Sequence, residues 1–164
     1  MRAMKPSLKP STKGQAAVEL ALTFPIVFLL ILAVFELGFA FNAYITVVSA
    51  ARQGAKAGAV YVFDPTASVS ANDQNRESGT GTSTPYVGNI RDTMASSLGA
   101  LKTTAPYFDK ATSVTISYIP VVGTVDTRQG DLISVQVVYR YQLLTQLVGN
   151  ATITLTGQAT ERTE

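Results

Sequence analysis

With 164 residues, 46% of them hydrophobic, the chain has material for one membrane-embedded helix and one small domain outside it, but hardly for two independent cores. Its formal charge of +2 is concentrated at one end. Arg2, Lys5, Lys9 and Lys13 precede Gly14 and all eleven acids follow it, so the part beyond Gly14 carries a formal −2; this points away from a nucleic-acid partner. Histidine and cysteine are absent, which removes the usual general base, the thiol nucleophile, disulfides and nearly all zinc-site grammar.

Residues 1–14 form a basic leader. Four cations without an acid, immediately before an apolar run, predict that this end stays cytoplasmic and that the larger C-terminal part is exported. From Gln15 to Phe41 the chain has 27 residues with two carboxylates, Glu19 and Glu36, and a charge-free stretch from Leu20 to Phe35. That is long enough for a spanning helix, which needs roughly 20 residues. It is too long for a cleaved secretory signal, and the residues after it, Asn42 to Val48, are still helical in pattern.

A carboxylate at the centre of a membrane helix costs about 3 kcal/mol on insertion scales and calls for a partner. Glu19 lies close to the basic edge. Glu36, 17 residues further on, is rotated from it by roughly 260°, so the two face different partners. Pro25 removes a backbone donor two turns into the segment and invites a kink or a flexible point.

Beyond the span the helix is predicted to continue to about residue 62, ended by Asp64-Pro65. Ala50, Gly54 and Gly58 form one row of small side chains, and Ala51, Ala55 and Ala59 form another beside it. The preferred reading is a helix packing on its own domain, ahead of a groove between subunits. Arg52 and Lys56 occupy a different face near the helix end, where cations suit the dipole.

Residues 64–85 are rich in Ser, Thr, Asn and Gly and read as a long loop. Val87, Ile90, Met94, Leu98 and Leu101 then mark a short amphipathic helix over 86–101. Three alternating stretches, about 111–121, 131–143 and 151–160, read as strands with one buried face. Gly123, Gln129-Gly130-Asp131 and Gly149-Asn150 punctuate them, so an antiparallel meander is the simplest arrangement. The predicted fold is α+β: a long N-terminal helix, spanning a membrane with its first half, packed on a three-stranded antiparallel sheet.

No catalytic signature appears: there is no Gly-x-Ser-x-Gly, Ser-x-x-Lys, phosphate-binding or dinucleotide-binding loop. Asp126 and Asp131 flank a turn but fall short of the six to eight oxygens that calcium takes. No cofactor or metal is expected, and the chain reads as non-enzymatic.

Taken together, Gly14-x-x-x-x-Glu19, Pro25, Glu36-Leu37-Gly38 and Ala50-Ala51-Arg52-Gln53-Gly54-Ala55 make residues 13 to 60 resemble the TadE-like family of pseudopilins, minor components of tight-adherence (Flp-type) pili. The resemblance implies that a prepilin peptidase, an aspartyl membrane protease, cuts after Gly14 and leaves Gln15 as the new N-terminus. Glu19 then becomes the fifth residue of the processed chain. Gln15 departs from the phenylalanine that begins ordinary type IV pilins, and Leu20 from the tyrosine of the short Flp major pilins, so a minor pilin-like subunit fits better than the shaft protein.

A new α-ammonium in apolar surroundings needs an anion, and a carboxylate one helical turn away, on the same or a neighbouring subunit, supplies it. On this reading Gly14 and Gln15 serve processing, Glu19 serves assembly, and Glu36 and Arg52 serve subunit contacts. The expected partners are the inner membrane, the prepilin peptidase, other pilins and the pilus assembly platform. The expected location is the bacterial inner membrane, single pass, with the C-terminal domain periplasmic or carried into an extracellular pilus. The alternative is an uncleaved, signal-anchored periplasmic binding domain whose specificity lies in the 64–85 loop or the sheet.

Overall fold

The computed structural model describes residues 12–61, 64, 66–78, 89–99, 101–102, 106–120, 130–143 and 151–163. Pro65, Val87, Gly123, Asp126 and the Gly149-Asn150 turn lie outside them. The described elements are helix α1 (Thr12–Ala59), helix α2 (Val69–Ser78), helix α3 (Ile90–Ser97) and strands β1 (Val114–Ile119), β2 (Leu132–Gln142) and β3 (Thr152–Arg162). The architecture is α+β. By contacts the chain forms two units, residues 1–38 and 39–164.

The first unit is the N-terminal part of α1. Its consecutive residues Ile26, Val27, Phe28, Leu29, Leu30 and Ile31 are all 45–69% exposed, and six successive residues at 100° each cover every side of a helix. An apolar surface all round, with no packed face, is what a lipid environment demands. The helix is long and apolar enough to cross a membrane. It begins at Thr12, ahead of the expected Gln15, because Gly14 adopts helical backbone and no breaker separates the leader from the span. Pro25 is accommodated inside the helix, and the hydroxyl of Thr23 donates to the Glu19 carbonyl at 2.8 Å, so this polar group is satisfied within the helix.

The second unit is built on the rest of α1. Ala43, Val47, Ala50, Ala51, Ala55 and Ala59 are buried in the core with Ile90, Met94 and Leu98 from the α3 region and Val114, Ile133, Val135, Val137 and Tyr139 from the sheet. Burying each larger apolar side chain contributes about 1.5–3 kcal/mol. The sheet order is β1-β2-β3, antiparallel throughout. Its register places Val114, Val137 and Gly157 in one row, and Ile116, Val135 and Ala159 in the next. Both small-residue rows of α1 therefore pack on the chain's own domain, as the preferred reading expects.

Glycine makes this close approach possible. A Cβ on Gly157 would lie 2.7 Å from the Val47 carbonyl oxygen, and one on Gly58 would lie 2.6 Å from Ile133 Cδ1 and 2.7 Å from Ile90 Cδ1. The α1 backbone fills the space beside Gly157, and side chains from the sheet and α3 fill that beside Gly58.

Elsewhere β1 is shorter than the expected 111–121, and three helical features differ from expectation. α1 ends at Ala59, before Asp64-Pro65, because the backbone turns at Val60 and carries the Tyr61 ring toward Arg76. α3 is shorter than 86–101: Asn89 caps it, accepting from the Asp92 amide at 2.6 Å, and Gly99 turns with a φ of +53°, which lets the chain leave the helix while Leu101 still packs on the core. The largest difference is α2, a helix inside the stretch read as a loop over 64–85. Ser68 caps it by accepting from the Ala71 amide at 3.2 Å, and its buried residues are polar, Asn72 and Arg76, so no apolar period announces it.

Candidate functional site

The residues singled out in the N-terminal unit lie along a single helix. Gly14, Gln15 and Glu19 are exposed, and Glu19 stands four residues after Gln15, one helical turn away on the same side. A Cβ built on Gly14 meets nothing within 4 Å. The glycine is therefore unnecessary to the fold, and its small size is available to anything that acts on the bond after it. Helix ends fray readily, and glycine lowers helix stability by about 1 kcal/mol relative to alanine. Both effects favour local opening of the helix at the Gly14–Gln15 peptide.

Glu36 is buried, 9% exposed, while its neighbours Phe35 and Leu37 are 61% and 73% exposed. It lies roughly 26 Å along the helix axis from Glu19, at 1.5 Å per residue. The two carboxylates therefore occupy different environments, Glu19 on a stretch exposed on every side and Glu36 buried. In the second unit Arg52 and Lys56 are exposed, turned away from the buried alanines and glycines of the same helix.

A second group of polar residues carries no motif. Arg76, 2% exposed, holds its guanidinium 5.2 Å from the Tyr61 ring centre and 5.5 Å from that of Tyr118, within cation–π range of both. Its Nε and Nη1 find no hydrogen-bond acceptor among the described residues. One residue on, the Glu77 carboxyl lies 3.8 Å from Arg91. Burial nevertheless holds its pKa above the ordinary value of 4.5 and outweighs the opposing pull of that cation. The guanidinium is engaged elsewhere, since Arg91 Nη1 also donates to the carbonyls of Lys110, Ala111 and Val114. Burial likewise pushes the Tyr118 hydroxyl well above its usual range.

Beside these residues lies an open depression of about 420 Å³, lined in part by Gln74, Glu77, Arg91, Asp92 and Lys110. Lys110 pairs with Asp92, and Lys110 and Asn89 hold the Asp92 carboxyl below its ordinary range. The charges of the depression are thus spent on each other. Asp131, expected in a solvated turn, is buried, its carbonyl accepting from the Thr163 amide and hydroxyl. Among the described residues no group of three or more carboxylates gathers to hold a metal ion.

Sequence reasoning missed the Arg76 group because its members come from three separate stretches. The available signal was slight: Arg76 is the only basic residue between positions 64 and 85.

No curated protein and no solved structure matches the chain. A family model does match, under the description TadE-like protein, over residues 14–56. The matched stretch begins at the exposed glycine, includes Glu19, Pro25, Glu36 and Arg52, and ends among the small residues that pack on the sheet. Residues 14–56 are thus similar to TadE-like proteins, a structural, pilus-associated family.

Proposed function

We propose that this protein is the precursor of a minor pilin or pseudopilin, cut after Gly14 by a prepilin peptidase and used in assembling a Flp-type pilus. The observation that carries the reading is the sequence Gly14-Gln15 with Glu19 one turn on, on an exposed helix where Gly14 has no packing role, inside the matched family segment. Cleavage frees an α-ammonium at Gln15. In a low-dielectric setting that charge needs a counter-ion, and Glu19 of the same or a neighbouring subunit provides it.

In this reading the four cations before Gly14 keep the leader cytoplasmic, the apolar part of α1 spans the inner membrane, and the helix–sheet domain lies in the periplasm until assembly. Glu36 and Arg52 serve contacts with other pilins or with the assembly platform. The protein is structural and carries no catalytic role.

The test is the N-terminal peptide, identified by mass spectrometry from cells with and without their prepilin peptidase. A chain starting at Gln15 only when the peptidase is present supports the proposal. A chain retaining residues 1–14 in both overturns it in favour of an uncleaved anchored binding domain. In cells that process the protein, Glu19→Ala should leave cleavage intact and reduce incorporation into pili; unchanged incorporation removes the pairing role.

A further inference from the structure

We propose that α2 is a detachable arm, latched by the Arg76 guanidinium between the rings of Tyr61 and Tyr118, that opens and closes without unfolding the α1–sheet core.

The two helices of the C-terminal unit beyond α1 are held by different chemistry. α3 buries Ile90 and Met94, and Leu98 just past its end, each at 0% exposure; lifting it would expose apolar surface to water and leave cavities against Gly54 and Gly58. α2 has no buried apolar side chain: its buried residues are Asn72 and Arg76.

Asn72 ties the preceding turn to the helix. Its Oδ1 accepts from the Asp64 amide at 2.9 Å, and its Nδ2 donates to the Asp64 carbonyl at 2.9 Å and the Ser68 carbonyl at 3.2 Å. These bonds join Asp64 and Ser68 to α2 itself, so they and the helix move as one piece. What joins that piece to the rest of the domain includes the Arg76–Tyr61–Tyr118 stack and the long Glu77–Arg91 pair.

Water replaces polar contacts far better than it replaces apolar packing. The unmatched Nε and Nη1 of Arg76 regain hydrogen bonds when the arm lifts, which lowers the cost of opening further. Regions held this way open at lower free energy than the core. Opening presents the two tyrosine rings and the α3 surface around Arg91, which the closed arm covers.

The experiment is hydrogen exchange by mass spectrometry on the full chain in detergent micelles, comparing peptides from residues 69–78 with peptides from β2. In the unmodified protein α2 should be protected, yet exchange at least ~10-fold faster than β2. Arg76→Met, which keeps an apolar stem and removes the cation, should accelerate α2 again while leaving β2 unchanged. Equal rates for α2 and β2 in the unmodified protein overturn the proposal, and so does an α2 with no protection at all. A uniform acceleration of both by Arg76→Met overturns it as well. Should that variant fail to fold, the unmodified protein decides the matter alone.

Discussion

The two parts of α1 use glycine in opposite ways. Gly14 and Gly38 stand where an added Cβ meets nothing within 4 Å, whereas Gly54 and Gly58 stand where it would meet Met94 or Ile133 and Ile90 at 2.5–2.7 Å. One continuous helix thus passes from a stretch in which its fold makes no demand on small residues to a stretch in which the fold depends on them. The difference teaches how to read such residues. In the second part they answer to the chain's own sheet and α3, and in the first no contact among the described residues requires them.

Substitutions can break or sharpen this contrast. The largest effect is expected at Gly157→Ala, where the new methyl would press on the Val47 carbonyl oxygen and carbon at 2.7 and 2.9 Å. Neither backbone yields cheaply, so a loss of about 3 kcal/mol is expected in thermal or denaturant unfolding. Gly54→Ala and Gly58→Ala should each cost about 1–2 kcal/mol. Gly54→Ala is the milder of the two, because it meets the flexible Met94 side chain while Gly58→Ala meets two branched isoleucines.

Gly14→Ala and Gly38→Ala should leave unfolding unchanged or raise stability by up to about 1 kcal/mol through helix propensity. On the proposed function, Gly14→Ala then blocks removal of the leader in a protein that folds normally. Failure of processing together with normal melting assigns Gly14 to recognition; failure of both erases the contrast between the two parts.

The smallest effect concerns the arm. Glu77 is held above 4.5, chiefly by burial, with Arg91, Tyr118, Asp73 and Arg76 facing it. A carboxyl raised in the folded state contributes stability that is full below its unfolded pKa and is lost as pH rises through its folded value. Once charged, the carboxylate therefore docks α2 less well than the protonated carboxyl does. Glu77→Gln should slow exchange in residues 69–78 where the wild-type carboxyl is ionised, with the gain fading as pH falls toward the ordinary carboxylate range. Asp92, lowered by its bonds to Lys110 and Asn89, works in the opposite sense, its contribution lost as pH falls below the ordinary carboxylate range.

The sheet was legible in the sequence because Ile133, Val135, Val137 and Tyr139 alternate with less buried residues, and that period survives into the paired strands. α3 was legible because Ile90, Met94 and Leu98 recur at helical spacing. α2 was not, since the residues it buries are an asparagine and an arginine, and polar burial leaves no hydrophobic period to find. For the site the division is similar. Gly14, Glu19 and Glu36 could be placed by position in a long apolar run, whereas Arg76, Tyr61 and Tyr118 meet only through tertiary folding.

The contact between Val47 and Gly157 also sets an order in time. Synthesis runs from the N-terminus, so the alanine and glycine face of α1 is made early and strand β3, which seals it, is made last of the described elements. Until then α3, β1 and β2 can cover the Gly54 and Gly58 end of that face, but the stretch around Val47 lacks the backbone that closes on it. A chain stopped before β3 never closes it. Closure of the helix around Val47 therefore waits on the last of the described strands, however early the helix itself is made.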